Sequence, residues 1–152
     1  MRLESIRRLE RLRKRQRDVA AGTMANAELA YLQSQAAERA ARATLGELLE
    51  HAYERFCATN DARVLLRFES ERILAANEVG RASETTRSRQ VVCEKCRGEL
   101  QRAERQLRTA EKLRVRAAAE RLAAADKVEQ AMADDRSGTQ VARHNAEEGV
   151  ES

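Results

Sequence analysis

Cys93, Glu94, Lys95 and Cys96 form the one short motif in this 152-residue chain whose spacing carries chemistry by itself. A Cys-x-x-Cys pair exchanges disulfides when it sits in a βαβ setting, and makes half of a zinc site when two further ligands complete the tetrahedron. Neither setting is on offer, because the remaining candidates, Cys57, His51 and His144, lie far away in sequence. Both cysteines also belong to a repeat of three and four residue steps that continues through Leu100, Ala103, Leu107 and Ala110, where small packed side chains are required. The spacing therefore predicts two core thiols, with no metal and no cofactor. No carboxylate pair, Ser/His/Asp set or glycine-rich phosphate loop stands beside them, so the chain is read as having no enzymatic activity.

The second chemical feature is charge. Eight cations against two carboxylates in the first 17 residues give that stretch a net charge of +6, with Arg7, Arg8, Arg11 and Arg15 at its centre. Clustered guanidinium groups suit phosphates, anionic lipid or an acidic protein surface, or they simply solvate one helix face. Nucleic-acid readers interleave aromatic side chains with their cations, and no aromatic precedes Tyr31. From Glu129 onward six acidic residues outweigh Arg136 and Arg143, for a net charge of -4. The two ends thus carry opposite sign.

The third feature is apolar. Of four aromatics, Tyr53, Phe56 and Phe68 fall within sixteen residues, with Leu48, Leu49, Leu65, Leu66 and Ile73 around them. Such a cluster either plugs the end of a folded unit or offers a binding patch, since exposed aromatic and leucine groups dominate interface energetics.

The elements that position these groups follow from composition. There is no proline, aromatics make up 3%, and alanine, leucine, glutamate and arginine predominate, which favours helix and leaves a sheet almost nothing to be built from. Mixed charges at 36% of the chain fit helices bathed in solvent on most of their circumference. The chain is therefore expected to be all-α: a long antiparallel two-helix coiled-coil hairpin spanning residues 1–135. Helix 1 covers about 3–57, the turn about 58–62 where Thr59, Asn60 and Asp61 cluster, and helix 2 about 62–135. An alternative turn sits at Gly80 and residues 83–88, and residues 136–152 read as a flexible tail.

Folding back at residue 60 places residues whose numbers sum to about 120 opposite one another. Leu29 then meets Val91 and Val92, Val19 meets Leu100, Leu12 meets Leu107, Ile6 meets Leu113, and Gly22 faces Gly98. Helix 1 would be roughly 80 Å long, and a thin alanine-rich pair of this kind needs a partner for stability. No apolar run approaches the roughly 20 residues that cross a bilayer, so no membrane insertion is expected. The absence of a signal peptide and the odd cysteine count point to the cytoplasm.

A basic first helix, an aromatic and leucine-rich tip with the run LLEHAYERF at residues 48–56, and a loose acidic tail resemble the stalk proteins of type III secretion systems, the family that includes YscO and FliJ. The resemblance covers residues 1 to about 135. It implies a non-enzymatic stalk or adaptor, cytoplasmic and peripheral at the inner face of the secretion apparatus, that links a hexameric secretion ATPase to the membrane export gate. It further implies that secretion chaperones are possible partners and that the free chain is a monomer. Leu48, Leu49, Tyr53, Phe56 and Phe68 would meet the gate, and Arg7, Arg8, Arg11 and Arg15 the ATPase. The alternatives are a nucleic-acid-binding coiled coil that uses the basic N-terminal helix, and a chaperone or scaffold coiled coil.

If the cysteines only pack, Cys93→Ala together with Cys96→Ala keeps the helical circular dichroism, and a zinc chelator leaves the unfolding temperature of the natural chain unchanged. A chelator-induced drop in that temperature would identify a metal ligand set instead.

Overall fold

The computed structural model describes residues 3–58 and 60–148, with every side chain in them except those of Tyr53 and residues 145–148. Two helices account for nearly all of it: α1, Leu3–Ala58, and α2, Ala62–Glu148. They pack against each other in antiparallel sense as a helical hairpin, and no strand occurs among the described residues. The connection is short. Asp61 caps α2, its carboxylate Oδ1 accepting the Arg63 amide at 3.0 Å while its carbonyl accepts the amides of Val64 and Leu65. This is what an N-cap aspartate does for the orphan donors of a first turn. Thr59 lies outside the described residues.

Gly80 and residues 83–88, considered above as a second turn, lie within continuous helix. No proline interrupts α2, and Thr85 and Thr86 return their hydroxyls to the carbonyls of Arg81 and Ala82 four residues back, at 3.0 Å each. Of residues 136–152, expected as a flexible tail, residues 136–148 continue the helix as well, and residues 149–152 lie outside the described residues. There Ser137 and Thr139 bond back to Ala133 and Asp135 in the same way, and the single Gly138 costs only about 1 kcal/mol of helix propensity.

The chain divides into two units. One holds residues 15–105, the other residues 1–14 with 106–152. In the first, Met24 of α1 packs against Cys93 and Cys96 of α2, with Ala27 and Leu100 at the margin. Arg89 Nη1 donates to the Ala30 carbonyl across the pair at 2.8 Å. In the second, Ile6 and Ala110 are buried, Arg114 Nε meets Glu10 Oε2 at 2.9 Å, and Arg13 Nη1 donates to Gln106 Oε1 at 2.8 Å. These cross-pairs sum to values close to 120, so the expected register is the observed one.

The interior of α2 is the expected one, but that of α1 differs in part. The inward stripe of α1 runs through Glu10, Arg13, Arg17, Met24, Tyr31, Ser34 and Glu38 at heptad steps, so much of it is polar. Leu12, Val19 and Leu29 of α1, and Val91, Val92 and Leu113 of α2, stay exposed, Val19 by 70%. They occupy flanking positions, where a two-helix pair has no third element to cover them. Gly22 and Gly98 do not mark a close approach either, because a Cβ built on each meets nothing within 4 Å.

A polar layer crosses the first unit. Ser34 and Thr86 are buried, but each satisfies its hydroxyl within its own helix, Ser34 on the Tyr31 carbonyl at 2.7 Å and Thr86 on that of Ala82. Glu38 joins them, its carboxylate held below the usual carboxylate range first by Arg42, at 2.6 Å, and then by the Thr86 and Ser83 hydroxyls. A carboxyl with a lowered native pKa adds stability above its unfolded pKa and loses it as pH falls through the native value. Thermal unfolding should therefore shift downward on acidification through the carboxylate range, and Glu38→Gln should flatten part of that slope while leaving the neutral-pH helix content intact. An unchanged slope in the variant would remove Glu38 from the account.

Candidate binding surfaces of the two units

Beside the turn, within the unit of residues 15–105, the last turns of α1 and the first turns of α2 enclose a hollow of about 260 Å³. Leu49, Ala52, Phe56, Val64, Leu65 and Phe68 make its apolar walls and Arg55 its one charged side. A smaller hollow of about 160 Å³ adjoins it, lined by Leu48, His51 and Phe68 among others. Phe68 therefore stands between the two. Of the five residues expected at the tip, Leu48, Leu49, Phe56 and Phe68 come together here, and the Tyr53 side chain lies outside the described residues.

Exposure separates the plugging residues from the presenting ones. Phe68 and Leu48 are partly buried, while Phe56 is 62% and Leu49 50% exposed, alongside Leu66 and Leu74 at about 70%. Leu49 and Phe56 are thus exposed apolar groups on the wall of a concavity, which is what a partner's side chain would find. Ala52 and Val64 were not recognised as walls from sequence. Their signal was available in spacing, since Ala52 and Phe56 share a helix face at four residues, as do Val64 and Phe68. Around the hollow, Arg55 reaches toward Glu71 at 4.0 Å and Arg72 binds Glu69 with Nε at 2.9 Å. The second contact holds the Glu69 carboxyl below its ordinary range and raises the Arg72 guanidinium.

The other unit carries a charged groove. Glu4, Arg7, Arg8, Arg11 and Lys14 of α1 with Arg114 of α2 border an open space of about 610 Å³. Glu10 is occupied by Arg114 and Arg13 by Gln106. Arg7, Arg8, Arg11, Lys14 and Arg15 have no ion pair or hydrogen-bond partner among the described side chains. Three of the four arginines expected to bind a partner thus line the groove. Arg15 is exposed but outside it.

The Cys-x-x-Cys pair belongs to neither surface. Cys93 and Cys96 are free thiols buried in the seam, and Cys57 is exposed near the turn. Among the described residues no group of three or more His, Cys, Asp or Glu side chains is placed to hold a metal ion, and no described helix is long and apolar enough to cross a membrane.

Comparison with known proteins adds one match. The model of the family described as flagellar FliJ protein matches residues 2–146. No curated protein and no solved structure matches the chain.

The division between plugging and presenting residues has a direct consequence. Phe68→Ala should lower the unfolding free energy by about 1 to 3 kcal/mol, whereas Phe56→Ala should change it by less than about 1 kcal/mol. Urea titration followed by circular dichroism reads both, and equal losses would mean that Phe56 is packed rather than presented.

Proposed function

This chain belongs to the flagellar FliJ family, a component of the flagellar and type III protein export apparatus, and we propose that it is the stalk or adaptor that links the hexameric secretion ATPase to the membrane export gate. The reading rests on the coexistence of two surfaces of different chemistry, an apolar hollow beside the turn and a set of unpaired cations near the start of α1. An element that connects two partners without catalysis needs two such patches and nothing more. In this reading Leu48, Leu49, Tyr53, Phe56 and Phe68 engage the gate, a membrane protein. Arg7, Arg8, Arg11 and Arg15 engage acidic groups of the ATPase, and the chain works at the cytoplasmic face. Secretion chaperones are further partners that the same role allows.

Hydrophobic and ionic contacts contribute differently to such a link. The exposed apolar groups of the hollow supply most of the affinity for the gate by leaving water. The arginines supply rate and orientation, and their contribution fades with salt.

Binding to the cognate ATPase and to the soluble part of the gate tests both halves separately. Reversing Arg7, Arg8, Arg11 and Arg15 to glutamate should weaken ATPase binding roughly tenfold or more while leaving gate binding alone. Leu49→Ala with Phe56→Ala should weaken gate binding by a similar factor and leave the ATPase alone. If the natural chain binds neither partner, the assignment is wrong. If either set of changes weakens both equally, the division of labour is wrong.

A further inference from the structure

Every described side chain of α2 from residue 118 to residue 144 is exposed. A helix held by propensity alone is marginal in water, and most helical stability comes from packing against something else. This stretch ends in acidic character: Asp126, Glu129, Asp134 and Asp135 outweigh Lys127 between residues 126 and 135, and none of the four carboxylates has an ion pair among the described side chains. The same unit holds their counterpart in the unpaired Arg7, Arg8, Arg11 and Lys14, and Arg15 follows next in sequence.

These two sets do not meet within one molecule. The contacts Glu10–Arg114 and Arg13–Gln106 put the basic stretch alongside residues 106–114 of α2. The acidic stretch begins twelve residues beyond Arg114, about 18 Å further along the helix at 1.5 Å per residue. We infer that the acidic segment of α2, residues 126–135, docks on the basic groove of a second copy of this chain, whose own acidic segment docks in return. A two-fold axis near Arg121 satisfies both contacts at once, since it lies about midway between the two charged stretches. That reciprocity is the property of an isologous pair. The sequence suits the axis, because Ala117, Ala118 and Ala119 on one side mirror Ala123, Ala124 and Ala125 on the other. Small side chains there let two α2 helices approach closely. The free chain, expected from sequence to be a monomer, is then a salt-sensitive antiparallel pair in which each copy covers the exposed helix of the other.

Sedimentation equilibrium of the full chain gives the decisive reading. At low ionic strength the mass should be about 34 kDa, twice the 17.1 kDa of the chain. It should fall to the single-chain value as salt approaches about 1 M, where the screening length is only about 3 Å. A monomer at low salt, or a pair that persists in high salt, overturns the inference, the latter by placing the contact on apolar surface instead. Two variants then test the register. One reverses the five cations to glutamate, and the other reverses Asp126, Glu129, Asp134 and Asp135 to lysine. Each alone should be monomeric, and an equimolar mixture should restore a pair. A mixture that stays monomeric, or either variant pairing with itself, rejects the proposed contact. Should a variant lose its helical circular dichroism, the salt titration of the natural chain decides alone.

Discussion

Everything in this hairpin hangs on one narrow seam where α1 and α2 touch, and that seam is built from side chains that bury little. Met24 against Cys93 and Cys96 is its apolar centre in one unit, and Ile6 and Ala110 are the buried groups of the other. Thioether and thiol groups fill irregular gaps without demanding volume. Alanine at the neighbouring seam positions lets the backbones come close but removes little apolar area from water, at about 25 cal/mol per Å². The fold is consequently specified with modest stability to spare, and large apolar residues such as Leu29, Val19 and Val91 are left on the outside.

Polar groups in the seam set register more than they stabilise it. Ser34 satisfies itself locally on the Tyr31 carbonyl, so its burial costs little, while Thr86 bonds back to the Ala82 carbonyl and also faces the Glu38 carboxylate of α1. The interhelical contacts are made by longer arms: Arg89 to the Ala30 carbonyl, Arg13 to Gln106, and Arg114 to Glu10. Each is partly exposed and worth little alone, yet sliding either helix by one turn would break it. Arg17 shows the cost of threading cations through such a seam. Its Nε is buried without a hydrogen-bond partner while its terminal nitrogen turns to Asp18 at 2.9 Å.

What could be read from sequence follows from which signals were unambiguous. The step pattern from Cys93 to Ala110 identified the inner face of α2 correctly, because small and apolar residues there coincide with the heptad. The turn was legible from the cluster ending at Asp61, since only a capping side chain explains those residue types together. In α1 the same logic misled. Its inward positions hold Glu10, Arg13, Arg17 and Glu38, so of the large apolar residues expected to face α2 only Ile6 is buried, while Leu12, Val19 and Leu29 lie off the stripe. The end of α2 was misjudged for a related reason. Residues 136–148 lack apolar periodicity, and periodicity reports packing, not helicity. A proline-free segment with serine and threonine bonding back to earlier carbonyls continues as helix with no core to face.

The same economy in the seam shapes the surfaces. Because two helices can cover only one face of each other, groups that a thicker fold would bury remain available, and their placement becomes the functional information. Beside the turn the chain must reverse, so side chains from both helices converge, and Phe68 is drawn inward while Phe56 and Leu49 are left at the rim. Near the start of α1 no convergence occurs. There the seam absorbs Glu10 and Arg13 and leaves Arg7, Arg8, Arg11 and Lys14 on a shared groove. A hollow that takes an apolar group and a groove that takes carboxylates are therefore two outcomes of one constraint, that a pair of helices has a single inside.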